Sequence, residues 1–160
     1  MTTARVLAGI AVAAALVTIA PAAAQASAGS PAAASAAPKS WGPAYAPGKA
    51  AKASGTIAVT GLSGTIPAVG TAHVTGKVYD RTKGSSCGWA VFRVTYRKAD
   101  GNLPFIHKAY RTCNATKPKS FSFTYPNTYE VELKVCSEAT SKPSLNCLYA
   151  GTWKVLYVSH

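Results

Sequence analysis

Acidic side chains are scarce in this chain, which holds five Asp and Glu against 17 Lys and Arg, for a formal net charge of +12. Such a balance favours solubility and adhesion to polyanions, but it carries no information about the fold. We expect an anionic extracellular polymer or a glycan as partner, no specific nucleic acid, and a monomer. The alternative is a solvated basic surface that selects no partner.

Familiar catalytic and metal-binding motifs are also missing. The sequence contains no G-x-S-x-G, no H-E-x-x-H, no Walker loop, no calcium loop and no C-x-x-C pair. Glu130 and Glu132 share one face of a predicted strand about 7 Å apart, a distance that inverting glycosidases also use. We interpret them as an exposed face that balances Lys134. The sequence therefore predicts a non-catalytic protein without a metal or a cofactor.

No apolar run is long enough for an ordinary membrane span. Residues 6–20 form an uncharged apolar stretch of 15 residues, whereas a spanning helix needs about 20. Arg5 precedes this stretch, and small residues at signal-peptidase spacing follow it. This order predicts a cleavable signal peptide over residues 1–28, cut after Ala26 or Ala28, and hence a secreted protein. An uncleaved N-terminal anchor is the alternative.

Two kinds of sequence follow the predicted signal peptide. Residues 29–53 are rich in Ala, Pro, Ser and Lys, which predicts a flexible linker. Its Ser40–Tyr45 segment carries two aromatic residues, so it either docks on the domain as a strap or forms a sticky tail. Residues 54–160 alternate β-branched and aromatic residues between turn signals, which predicts an all-β antiparallel sandwich or small barrel of six to seven strands. We place these strands near residues 56–60, 71–80, 88–98, 104–113, 120–125, 129–136 and 148–158.

Four cysteines in a predicted exported chain favour two disulfides over metal binding or a catalytic thiol. A three-residue hairpin loop over 99–101, with Gly101 in the left-handed conformation, places Cys87 directly opposite Cys113. A second hairpin around the loop 137–146 brings Cys136 to Cys147. The predicted disulfides are therefore Cys87–Cys113 and Cys136–Cys147.

Two further register predictions concern the C-terminal half. Apolar and aromatic residues alternate on both sides of residues 126–128, so a hairpin loop there would pair Phe123 with Val131. The register set by Cys136 and Cys147 puts Trp153 on the face of Glu130. We expect a bulge near residues 150–151 to return Trp153 to the core side.

The first hairpin offers a candidate binding face. Its register sets Trp89 opposite Arg111 and Arg93 opposite His107, with Arg97 further along the strand. Cations interleaved with aromatic rings suit a polyanion or a sugar ring, although cation–π pairs on a solvated strand face are the alternative. The predicted binding residues are Trp89, Arg93, Arg97, His107 and Arg111. A second functional hypothesis is a hydrolase inhibitor, active on a protease or glycosidase, which presents the disulfide-bounded loop 137–146.

Several segments resemble known secreted proteins. These segments are the Ala-rich start, Ser-Trp-Gly-Pro at 40–43, the run at 87–96, the run at 131–138 and the ending at 147–153. Together they resemble uncharacterised secreted proteins of actinobacteria, Streptomyces-type, over most of the mature chain. The resemblance implies an exported two-disulfide β domain and brings no activity with it. The chain is also similar to small amylase-inhibitor proteins of such bacteria, but their Trp-Arg-Tyr triplet is absent here.

Overall fold

The structure is a computed structural model that describes residues 37–160. The predicted signal peptide and residues 29–36 of the predicted linker lie outside the described residues. Within the described residues, no helix is long and apolar enough to cross a membrane. Seven strands, a single-turn 3₁₀-helix and one short α-helix follow one another in these residues: β1 (Lys39–Tyr45), the 3₁₀-helix (Pro47–Lys49), β2 (Ala51–Thr60), β3 (Gly70–Asp80), β4 (Cys87–Tyr96), β5 (Phe105–Thr112), β6 (Lys119–Glu138), α1 (Leu145–Tyr149) and β7 (Lys154–Val158).

The seven strands form one continuous antiparallel sheet that folds over into two packed layers, which confirms the predicted all-β antiparallel fold. One layer contains β1, β2, β3 and the first half of β6, and we call it layer 1. The other, layer 2, contains β5, β4, the second half of β6 and β7. Every pairing is antiparallel, and alternate side chains from both layers point into one shared core.

The domain begins earlier than its composition predicts. β1 and the first residues of β2 lie within the segment that was predicted to be a flexible linker, so residues 39–53 belong to the folded domain. Trp41 of β1 is buried and packs its ring 5.8 Å from that of Phe92. Gly55 and Gly76 make room for this indole, because a Cβ atom on either would lie 2.7 or 3.0 Å from its Cζ2 atom. The Ser40–Tyr45 segment is thus a docked strand.

The predicted hairpin over residues 126–128 is wrong, because β6 continues through it and passes from layer 1 to layer 2. Phe123 pairs with Val74 of β3, whereas Leu133 pairs with Phe92 of β4. A straight strand would separate Phe123 from Leu133 by about 33 Å, yet the rings of Phe123 and Phe92 lie 5.2 Å apart. β6 must therefore bend sharply, and Asn127 with its φ of 51° lies between the two halves.

Both predicted disulfides are present, and no free cysteine remains among the described residues. The β4–β5 register also matches the prediction, with Trp89 opposite Arg111 and Arg93 opposite His107. The Cys136–Cys147 disulfide differs in its setting, because Cys147 lies in α1 and not on a returning strand. This disulfide therefore fastens a short helix against layer 2.

Candidate functional site

A row of side chains crosses the outer face of layer 2, at the centre of the candidate site. The strand registers place His107 of β5 beside Arg93 of β4, Arg93 beside Glu132 of β6, and Glu132 beside Val155 of β7. Arg93 Nε donates a hydrogen bond to Glu132 Oε2, and the Glu132 side chain is only 8% exposed. The Arg93 side chain is 32% exposed, so a buried carboxylate holds a partly exposed guanidinium in place across two strands.

Four ring side chains gather around Arg93. We call Phe105, His107, Tyr149 and Trp153 the aromatic face. Trp153 stacks on His107 with 5.7 Å between ring centroids, and Arg93 Cζ lies 4.9 Å from the Trp153 ring. Phe105 and Tyr149 meet His107 edge-on at 5.4 and 5.6 Å. Phe105 is 47% exposed and Tyr149 is 60% exposed, so the cluster presents open ring surface to solvent.

Trp153 lies on this outer face and not in the core. The bulge that we expected near residues 150–151 therefore does not turn its ring inward. Its side chain stays on the outer face, half-buried, with Lys134 Nζ 5.7 Å from the ring. The register shift instead lies within β7, where Glu132 pairs with Val155 and Val131 pairs with Tyr157. The extra residue between them, Leu156, is buried in the core.

α1 positions Tyr149 at the edge of the face. Ser144 caps the helix by accepting a hydrogen bond from Cys147 N at 3.2 Å. Glu138 in turn accepts hydrogen bonds from Ser144 Oγ at 2.6 Å and from Ser144 N at 3.0 Å. These bonds and the Cys136–Cys147 disulfide fix the loop that was predicted as an inhibitory segment, and they orient Tyr149 toward His107.

His107 sits in an environment that disfavours its charged form. Burial lowers its pKa below the ordinary value, and the positive charge of Arg93 lowers it further. Its Nε2 atom is buried without a hydrogen-bond partner. The neutral imidazole therefore fits the stack on Trp153 better than the imidazolium does.

This environment predicts that acid weakens the fold through His107. The unfolded chain binds a proton on this residue near pH 6.5, whereas the folded chain binds it only at lower pH, so stability is lost as the pH falls through this range. Between about pH 7.5 and about pH 5, the melting temperature of the wild type should fall more than that of His107→Phe, which keeps an aromatic ring. Scanning calorimetry at several pH values measures both. The pKa of Glu130 is raised by burial and by Glu132. Because Glu130 is present in both proteins, its effect on the melting temperature cancels when the two are compared. Parallel curves would contradict the prediction.

The predicted binding residues divide into three groups. His107 belongs to the aromatic face, and Arg93 lies against two of its other rings, those of Phe105 and Trp153. Trp89 is 4% exposed, packed against Cys136 and Cys147, and is therefore not an accessible ligand contact. Arg111 covers the Trp89 ring at 5.5 Å and donates to Thr140 O at 2.9 Å.

Arg97 is separate from the other predicted residues. Its Nη1 atom donates to Thr65 Oγ1 at 2.7 Å and to Pro67 O at 3.0 Å, so it holds the β2–β3 loop. The structure therefore brings Arg93 and His107 together, places Arg111 at the rim over Trp89, and leaves Arg97 outside the site.

The charge of this face is close to balanced. Arg93, Arg111 and Lys134 lie on or beside it, and so do Glu130, Glu132 and Glu138, which are three of the five acids of the chain. The excess of positive charge lies elsewhere in the molecule. Attraction of a polyanion to this face, expected from the cations of the first hairpin, is therefore weaker than the sequence indicates. Among residues 37–160, no group of three potential ligand side chains could hold a metal ion.

Phe105, Tyr149 and Trp153 are the functional candidates that the predicted set of binding residues left out. For Trp153 a usable signal existed, since the strand alternation put its ring on the same face as Glu130, which is the outer face. No local pattern locates Tyr149, because its position depends on a helix five residues long and on a disulfide.

No family model matches this chain, nor does any curated protein or solved structure. The resemblance to secreted actinobacterial proteins stays a prediction. The aromatic face is therefore interpreted from its own geometry.

Proposed function

We propose that this chain is an exported, non-catalytic β-sandwich protein that binds an extracellular glycan through the aromatic face. The observation that carries the proposal is the open ring surface of Phe105 and Tyr149, which both pack edge-on against His107 of the stacked pair His107 and Trp153. Aromatic rings combine a large apolar surface with defined geometry. Such rings can pack against the C–H face of a pyranose, which also has one apolar side.

The polar groups of the face support the same ligand class. Glu130, Arg93 and Lys134 surround the rings and offer both acceptors and donors, as the hydroxyl groups of a sugar require. Together with Arg111, Glu132 and Glu138, which also lie on or beside the face, their formal charges cancel, so the face favours a neutral or weakly charged glycan over a densely charged polymer. The face is fixed by strands on both sides and by a disulfide, which limits the entropy lost on binding.

Export is the second part of the proposal. Two disulfides are present, and such bonds persist in oxidising compartments. The predicted signal peptide over residues 1–28 would deliver the chain there. A glycan outside the cell is then the ligand that combines this compartment with the ring surface.

Paired tyrosine variants test the glycan proposal. Wild-type protein is titrated against suspensions of cellulose, chitin and starch granules, and the bound fraction is measured by depletion from solution. Tyr149→Ala should weaken binding to the glycan that the wild type binds by at least about fivefold, since central aromatic contacts each contribute more than 1 kcal/mol. Tyr45→Ala is the matched control, because Tyr45 is also exposed but lies on β1 in layer 1.

Two outcomes would contradict the proposal. One is a wild-type protein that binds none of the three polysaccharides. The other is an equal loss of binding in Tyr149→Ala and Tyr45→Ala, which would show that the aromatic face has no special part. Phe105→Ala gives an independent check, because this ring lies on a different strand from α1.

A further inference from the structure

The positive charge of the protein is concentrated at one end of the sandwich. β1, β3, β5 and the second half of β6 all run toward this end, so the chain segments that follow these strands begin there. The last of these segments, residues 139–153, then extends over the outer face of layer 2, where it carries Tyr149 and Trp153. Ala46 and Pro47 line one cavity with Ser137 and Glu138 at the end of β6, which shows that the two layers share this end. We call the following eight residues the basic end: Lys49, Lys52, Lys77, Arg81, Lys83, Lys117, Lys119 and Lys142.

These eight side chains are half of the 16 Lys and Arg in residues 37–160, and all except the half-buried Lys52 are exposed. Two carboxylates lie at or beside this end: Asp80, and Glu138, which also borders the aromatic face. Both accept hydrogen bonds from the protein itself. Asp80 is buried and accepts hydrogen bonds from Thr82 N and Thr82 Oγ1 at 2.9 and 2.7 Å. Glu138 accepts the hydrogen bonds from Ser144 that cap α1.

The basic end is thus electrostatically unpaired. Within the described part of the chain, the single ion pair is Arg93–Glu132, which lies on the outer face of layer 2. None of the eight cations therefore has a carboxylate partner. Like charges repel one another, and an excess of one sign destabilises the compact state. A ligand that brings several negative charges would relieve this repulsion, while a ligand with a single charge would do so only in part.

Two of the cations are held in place by aromatic rings. Lys52 Nζ lies 4.2 Å from the ring centroid of Tyr79, and Arg81 Cζ lies 5.7 Å from that of Tyr45. Seven of the eight cations are lysines, which act as point charges and lack the planar fork with which arginine recognises one acid group. This composition fits recognition of a polymer that carries acid groups at intervals along its chain. It does not fit recognition of a single anion of defined shape.

We propose that the basic end binds a linear polyanion through charge alone, at a site separate from the aromatic face. The chemistry required of the ligand is a flexible polymer with closely spaced acid groups, carried by phosphate or by sulfate. Because binding releases condensed counterions, its affinity must fall steeply as salt is added. The proposal does not depend on glycan binding, since the two surfaces share no residue.

Charge-neutralising variants with a matched control test this proposal. Lys83→Gln, Lys117→Gln and Lys119→Gln are combined in one variant, and Lys39→Gln, Lys98→Gln and Lys154→Gln in the control. Both variants lose three charges from exposed lysines. Lys39 and Lys98 lie at the opposite end, and Lys154 lies on β7. Binding of a labelled heparin fragment is followed by fluorescence anisotropy from about 0.05 to about 0.5 M NaCl.

The basic-end variant should bind heparin at least about tenfold more weakly than the wild type at the lowest salt, and with a shallower salt dependence. The control should stay within about threefold of the wild type, and Tyr149→Ala should bind as the wild type does. Equal losses in both triple variants would overturn the proposal, because net charge alone would then explain binding. Absence of wild-type binding at the lowest salt would overturn it as well.

A polyphosphate chain is the second probe and distinguishes charge from sugar recognition. The three proteins should rank in the same order for polyphosphate as for heparin. If the ranking holds for heparin alone, recognition by charge is refuted. Melting curves of both triple variants confirm that each is folded before binding is compared.

Discussion

Replacing Phe92 with alanine is expected to lower the free energy of unfolding by about 3–5 kcal/mol. Phe92 is fully buried in β4, and its ring lies within 5.2 to 6.3 Å of four other ring centroids. The neighbours come from both layers, so the cavity left by alanine would lie at the centre of the core. Those neighbours are Trp41, Tyr110, Phe121 and Phe123.

The expected loss of stability is large because the surrounding rings can close only a small part of the cavity that alanine leaves. A domain of this size is stable by about 5–15 kcal/mol, so the variant would sit near the edge of folding. Urea denaturation with linear extrapolation measures the difference. Phe105→Ala is the control, because its ring is half exposed and its removal should cost less than about 1 kcal/mol. Similar losses in the two variants would contradict the central position of Phe92.

The two disulfides should have opposite rankings in stability and in binding. Cys87–Cys113 closes a loop of 26 residues and Cys136–Cys147 one of 11. In the chain-entropy treatment, their removal costs about 3.5 and about 2.8 kcal/mol, respectively. The longer loop therefore stabilises the fold more. The shorter loop holds α1, and with it Tyr149, against layer 2.

Two double variants separate these contributions. Cys87→Ala with Cys113→Ala should lose more stability in urea, yet keep the glycan affinity of the wild type. Cys136→Ala with Cys147→Ala should lose less stability but weaken glycan binding by at least about fivefold, as Tyr149→Ala does. Both measurements are made where each variant remains folded. If the first pair impairs binding as much as the second, α1 does not position the aromatic face.

The local sequence pattern was sufficient to predict strand pairing wherever a turn and its flanking strands were close in sequence. The loop 99–101 fixed the β4–β5 register and with it the Cys87–Cys113 pair, because hairpin geometry leaves few alternatives. The sequence left open whether the segment containing β1 docks on the domain, since its only large buried side chain is Trp41 and the seat of this ring depends on glycines at 55 and 76. The fit between the Trp41 ring and these two glycines arises only when three strands come together. No local sequence pattern therefore predicts it.

The β6 bend shows why a correct alternation can still give a wrong topology. Phe121 and Phe123 before residues 126–128, and Val131 and Leu133 after them, point to the core in either arrangement. A hairpin would place them side by side in one layer, whereas the bent strand places them in facing layers. Both satisfy the same burial pattern, so only contacts with β3 and β4 decide between them.

The continuity of β6 has a consequence for how the molecule opens. Proteins open in cooperative units that often coincide with supersecondary motifs. Two layers joined by side chains alone could form two such units. Here one main chain contributes hydrogen bonds to both layers, so neither layer can separate without disturbing a strand of the other. Amide protons on both sides of Asn127 should therefore exchange with solvent in a single event, at the free energy of global unfolding.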